Sequence, residues 1–142
     1  MTQFESSVKQ VAHPQEKVFE MLSDLSNLDR VKDRLPEDRF KDLSFDRDSV
    51  SISMDPVGSI TLNVVEREEP KCVKYEASQS IIPFTLWIQM LPVTDTTSKL
   101  KCTIQADINP FIKPMVSGPL QEAIDKMADA LAMIPYTDGD NV

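Results

Sequence analysis

From residue 40 onward the apolar residues fall on every second position, and they keep doing so, with short polar breaks, to residue 108. This period of two constrains the chain more than any other feature, because alternation is what a half-buried strand imposes on its side chains. Phe40–Phe45, Val50–Met54, Ile60–Val65, Cys72–Gln79, Phe84–Leu91 and Lys99–Ile108 read as six strands. The segments between them (DRDS, DPVGS, EEP, IIP and PVTDTTS) are turn-forming and short. A parallel neighbour needs a crossover of about a dozen residues or more, so these connections imply an antiparallel meander and exclude βαβ units.

The meander is flanked by segments of different period. Phe4 to Val11 alternates loosely and reads as a first strand, stopping at His13-Pro14. Val18, Phe19, Leu22 and Leu25 then recur at helical spacing, with Pro14 suited to a first turn and Gln15 and Glu16 to the positive end of the helix dipole. LDRVKDRL, with Leu28, Val31 and Leu35 on one face, predicts a second short helix ending at Pro36. At the other end Leu120, Ala123, Ile124, Met127, Leu131 and Ile134 form one apolar stripe, opposite Glu122, Asp125, Lys126 and Asp129. Gly118-Pro119 or Pro114 opens this long helix and Pro135 closes it, so that residues 1–134 form one domain and residues 135–142 a loose tail.

Alternation also assigns strand faces. Leu86, Ile88 and Met90 share a face opposite Thr85, Trp87 and Gln89, and Leu100, Cys102, Ile104, Ala106 and Ile108 one opposite Lys101, Thr103, Gln105 and Asp107. Ile60, Leu62 and Val64, like Val73, Tyr75 and Ala77, make further apolar faces. Laid against the helix stripe, these positions form a core in any protein. Two features point further, to a cavity in that core. Five of the seven methionines (Met54, Met90, Met115, Met127 and Met133) fall on inward strand positions or in the C-terminal helical region, and methionine adapts its shape to what it meets. Tyr75 places a hydroxyl on an otherwise apolar face, to be met by a ligand oxygen or by an ordinary hydrogen-bond partner. Trp87 falls on the outward face, where a bulge turns it inward, a second chain covers it, or its ring lies partly covered at the surface.

Charge and composition exclude several classes. With 15 Lys+Arg against 23 Asp+Glu the net charge is -8, which repels nucleic acid and anionic membrane surfaces. No window approaches the ~18 apolar residues of a membrane span, and residues 1–12 lack the pattern of a signal peptide, so the expected location is the cytoplasm. Cys72, Cys102 and the single histidine, His13, cannot supply the four ligands of a zinc site, and no cofactor is expected. Asp24, Asp29, Asp33, Glu37 and Asp38 alternate with Arg30, Lys32, Arg34 and Arg39, the pattern of a solvated helical face rather than a cation site. His13 sits at the seam between strand and helix, where it marks the fold and does not catalyse.

The order strand, two short helices, six strands and one long helix resembles the START-like (SRPBCC) superfamily, whose members include Bet v 1 allergens, polyketide cyclases and dehydrases, and coenzyme Q-binding proteins. The entry segment carries the resemblance locally: Pro14, Val18 and Phe19, then Leu22, Ser23, Asp24, Asn27 and Leu28. The resemblance implies an α+β helix-grip fold, a curved antiparallel sheet of about seven strands wrapped around the C-terminal helix. It also implies a cavity for an apolar small molecule, lined here by Met54, Leu62, Tyr75, Ala77, Leu86, Ile88, Met90, Cys102, Ile104, Leu120, Ile124, Met127 and Leu131. LDRV at residues 28–31 lacks the aromatic residue of the chaperone-activating relatives, and one histidine cannot serve the iron site of the ring hydroxylases. Three functions stay open: binding of a lipid, isoprenoid or polycyclic molecule without catalysis, which is preferred; a cyclase- or dehydratase-type enzyme; and a protein-interaction adaptor. Only Tyr75 and Cys102 bring ionisable groups to the inner strand faces, thin equipment for acid–base chemistry. A homo-oligomer through Trp87 is a further expectation.

Overall fold

The computed structural model describes residues 2–30, 41–54, 58–78 and 83–133. The predicted second helix and the C-terminal tail lie largely or wholly outside these residues, apart from a 3₁₀ turn at Leu25–Arg30. Strands β1 (Thr2–Glu5) and β2 (Lys9–Val11) precede helix α1 (Gln15–Ser23). The meander follows as β3 (Lys41–Phe45), β4 (Ser49–Met54), β5 (Gly58–Glu68), β6 (Cys72–Ser78), β7 (Phe84–Pro92) and β8 (Ser98–Ala106), and α2 (Lys113–Met133) closes the chain.

Among the described residues all strands belong to one eight-stranded antiparallel sheet in the order β1-β8-β7-β6-β5-β4-β3, with β2 also on β8. The first and last strands of the meander thus stay apart and the chain's own N-terminus covers the β8 edge. The single first strand expected from alternation is two. Between them Ser6 breaks the ladder, donating its N–H to the Cys102 carbonyl (2.9 Å), while its hydroxyl oxygen accepts the Cys102 N–H (2.9 Å). A side-chain oxygen thus takes the place of the missing ladder carbonyl.

The alternation expected for β7 and β8 holds along their lengths: every second residue from Phe84 to Met90 and from Ser98 to Ala106 is buried. Trp87 pairs in unbroken register with Lys74 and Thr103, so no bulge turns it and it stays on the outer face. β5 differs. A register shift between Val64 and Glu66 puts Arg67 across from inward-facing Val73, and Glu66 and Glu68 across from outward-facing Lys74 and Cys72.

The backbone of α2 comes closest to β8, β1 and β2, whereas α1 packs on β6 and β7. Val50, Ile60 and Leu62 on β4 and β5 join the same buried cluster as Leu120, Ile124, Met127 and Leu131 on α2, so the far half of the sheet reaches that cluster through side chains. This is the helix-grip arrangement. α2 begins at Lys113, so Pro114 and not Gly118-Pro119 opens it, and Pro119 lies inside. Lacking an N–H, Pro119 leaves the Met115 carbonyl without its helical donor.

Candidate ligand-binding site

The inner face of the sheet and the apolar side of α2 enclose one continuous hydrophobic region. Leu62, Tyr75, Leu86, Ile88, Met90, Cys102, Ile104, Leu120, Ile124, Met127 and Leu131 are all buried in it, and Ala77 is half-buried against it. Met54 pairs with Gly58 at the end of β4, but its side chain lies outside those described. Met90 and Met127 point into the region. Met115 and Met133 do not: they are 73% and 59% exposed. At 100° per residue they stand about 140° and 220° around the helix from Leu120, off the stripe that carries Met127.

Packing is uneven across this face. Leu86, Met90, Leu100, Cys102 and Ile124 have almost no accessible surface, so each touches neighbours on every side. On the half of the sheet away from α2, Phe45, Val64 and Ala77 stay partly accessible while packing on the same cluster, as does Val116 near the start of α2. Accessible apolar surface on the inner face thus lies at Phe45, Val64 and Ala77, beside Ile60, Val73 and Tyr75, which are as fully buried as the residues of β7 and β8. Ala77 is the small residue of this region, in register with Leu62 on β5.

Among the described residues several polar groups in and around the region hold α1. At its start the Ser98 hydroxyl donates to the His13 carbonyl (2.7 Å), and the buried Gln15 amide donates to the Met90 carbonyl (2.9 Å). At its end the Leu22 carbonyl would accept from the Ser26 N–H in a continuing helix, but that N–H goes to the Asp24 carboxylate (3.1 Å). The Tyr75 hydroxyl, fully buried, fills the gap by donating to Leu22 O at 2.6 Å. Arg67, brought inward by the β5 shift, donates through Nε to the Ser23 carbonyl (2.8 Å) and through its other arm to Asp48 (2.6 Å), and the Asn27 side chain donates to the Glu20 carbonyl (2.9 Å). Asp24 and Asn27, two residues of the entry motif, thus have a local role as helix-ending groups. Of the two partners open to Tyr75 from the sequence, the intramolecular one is present.

Titration follows from this environment. Burial pushes the Tyr75 hydroxyl far above the usual phenol range and the Cys102 thiol up to about 12. Both are neutral at physiological pH. Cys72, half-buried on the outer face, is raised first by burial and then by Glu68 and Glu66, so it is a poor nucleophile. His13 is lowered by partial burial and lies at the α1 entrance, flanking the N-cap Pro14. Among the described residues no group of His, Cys, Asp and Glu side chains is placed to hold a metal ion, and no helix is long and apolar enough to cross a membrane.

Nothing in the sequence pattern marks Ser6, Arg67 and Ser98 as residues that hold the site together, Gln15 has a different role from the helix-dipole one expected, and the exposed hydrophobic residues Phe111, Ile112 and Met115 form a further feature. They stand where α2 begins, Phe111 91% exposed, at the end of the sheet marked by Ser78, Phe84 and Ala106. Only the run of apolar residues immediately before the helix signalled them.

Comparison with known proteins adds the family context. A family model described as polyketide cyclase / dehydrase and lipid transport matches residues 1–133. Among solved structures, norcoclaurine synthase from Thalictrum flavum in complex with dopamine and hydroxybenzaldehyde is similar at a TM-score of 0.67, with 16% identity over 92% of this chain and 84% of that one. A START superfamily protein from Mycobacterium smegmatis gives 0.55, with 10% identity over 91% and 98% of the two chains. The Aha1 dimer from Colwellia psychrerythraea gives 0.56, with 13% identity over 94% and 98%. At these identities the likeness is one of fold. Among curated proteins none matches the chain.

Proposed function

We propose, since the chain belongs to the polyketide cyclase / dehydrase and lipid transport family, that it binds an apolar small molecule of lipid, isoprenoid or polycyclic type without catalysing a reaction on it. The ligand lies between α2 and the inner faces of β3–β6. One observation supports this reading: among the described residues the two titratable groups that the sequence places on the strands of this region, Tyr75 and Cys102, are both neutral, with Tyr75 engaged with the backbone. General acid–base chemistry needs a group that changes protonation near the working pH, and neither does so. Partly accessible Phe45, Val64 and Ala77 mark the ligand's seat, with Met127 as an adaptable wall; Leu86, Ile88, Met90 and Cys102 back it from the packed half. The acid surplus argues against polyanionic partners, and two free thiols suit the cytoplasm.

The test begins with mass spectrometry of organic extracts from protein purified from its own host, and with titration by an environment-sensitive apolar dye. Ala77→Trp fills the seat with a bulky ring and should reduce dye affinity at least about tenfold, the scale of losing one well-packed contact region. Far-ultraviolet circular dichroism confirms that the variant is folded. Equal dye affinity in the folded variant would remove the ligand from this face. Turnover of an extracted molecule by the purified protein would replace the binding reading with the cyclase- or dehydratase-type one, and a co-purified protein partner in place of a small molecule would favour the adaptor.

A further inference from the structure

The outer face of the sheet carries a feature that the ligand site does not use. Along β7 the outward positions are Trp87, Gln89 and Leu91, and Leu91 is 52% exposed. Together with the flanking strands they floor an open groove of about 380 Å³. The groove itself is mixed in charge, with Glu66, Glu68, Lys71 and Lys74 in its lining, and the difference in sign lies between the flanks of the wider face. On β5, two strands from β7, stand Glu66 and Glu68; on β8, the strand next to β7 on the other side, stand Lys99 and Lys101. Register sets Glu68 level with Lys101, through Cys72 and Gln89, and Glu66 level with Thr103, through Lys74 and Trp87, one outward position along the strand from Lys101. On β6, Lys74 holds its ammonium 5.6 Å from the Trp87 ring centroid, inside cation–π range.

We propose that this outer face docks a second copy of the chain, sheet against sheet, about a two-fold axis parallel to the strands and lying between β6 and β7. Such an axis lays β5 of each copy over β8 of the other and β6 over β7. The acidic flank of each copy then meets the basic flank of its mate, twice over, and Trp87 and Leu91 fall at the centre where water is excluded. A face with flanks of opposite sign on either side of a strip carrying Trp87 and Leu91, with Lys74 and Gln89 between them, is complementary to itself, as an isologous interface requires. A foreign partner would have to match the strip and both flanks at once, whereas a second copy does so by symmetry. Four strands at about 4.8 Å spacing give a face about 19 Å wide, which places the contact among small interfaces, below about 1,200 Å² in total. The dimer is therefore weak and assembles at high protein concentration. The net charge of -8 on each copy opposes it at low salt, so it forms best near physiological ionic strength, where distant charges are screened and contacting flanks are not.

Sedimentation equilibrium over a wide concentration range tests this. The wild-type chain should pass from one chain mass to two, and Trp87→Ser should weaken the association at least about tenfold. The decisive arm uses two charge-reversed variants, Glu66→Lys with Glu68→Lys, and Lys99→Glu with Lys101→Glu. Each alone sets like charges against like and should remain monomeric, while an equimolar mixture should form heterodimers, since each variant then offers the flanks that the other needs. Lys101 also pairs with Glu5 within the chain; a thermal melt checks that the reversal leaves the fold intact. A monomeric wild type at its solubility limit would overturn the proposal. So would a dimer indifferent to Trp87→Ser, or reversed variants that dimerise alone as well as mixed.

Discussion

Replacing Tyr75 with phenylalanine asks whether the buried hydroxyl serves the fold or a ligand. The substitution keeps the ring and removes one oxygen, so it opens no cavity of consequence and its effect is almost wholly polar. In the wild type that oxygen donates to Leu22 O at 2.6 Å, in place of a Ser26 N–H already taken by Asp24. Without it the Leu22 carbonyl is left with no donor in a buried position, at a cost of about 1–3 kcal/mol. For a chain of 142 residues that corresponds to a fall in Tm of roughly 3–10 °C. Urea unfolding should show a lower midpoint at unchanged slope. Affinity for an apolar dye should stay within about twofold, well under the ~1.4 kcal/mol of a tenfold change. Stability within about 0.5 kcal/mol of wild type would refute the anchoring argument, since that is the scatter of changes without a structural cause. A tenfold loss of dye affinity at unchanged stability would put the hydroxyl on the ligand instead.

Three further outcomes follow from the same contacts. Ser6→Ala removes the acceptor of the buried Cys102 N–H and should cost about 1–3 kcal/mol in urea unfolding, against near-neutrality for Ser7→Ala. Because the folded state raises both Cys102 and Tyr75 above their ordinary values of 9.0 and 10.0, the stability they contribute is fully present below pH 9 and drains away as the unfolded chain ionises above it; Cys102→Ala should flatten the first part of that alkaline limb. His13 has the opposite sign: burial lowers it, so its contribution is present above its ordinary 6.5 and is lost as pH falls, and His13→Asn should blunt the acid limb while leaving dye binding unchanged.

The sequence made the sheet legible because alternation reports burial directly: Leu86, Ile88 and Met90 had to face one way and Trp87 the other. The entry motif was legible as a marker, but its reason was not. Asp24 and Asn27 act on backbone groups whose direction depends on how the helix ends, and Tyr75 finds its partner 53 residues away. The break at Ser6 and the bulge at Val64–Glu66 were invisible for a similar cause: one extra residue reverses every face beyond it, yet no residue type announces the insertion. Arg67, beyond the bulge, therefore serves α1 through Ser23 with no signal in the alternation. At the start of α2, Pro114 and the Gly118-Pro119 pair gave competing signals, both compatible with a first turn.

The proline inside α2 has a mechanical consequence. A helix transmits force and order along its axis through successive backbone hydrogen bonds, and at Pro119 one link of that chain is missing. Lys113–Gly118 is therefore tied to Leu120–Leu131, which are clamped in the core, by one backbone hydrogen bond fewer, with Val116 as its contact to that core. The short leading piece carries Met115 and adjoins Phe111 and Ile112, at the end of the molecule opposite the pinned α1. The grip thus has one rigid jaw and one articulated fingertip, and amide exchange should divide at Pro119, fast before it and slow after it.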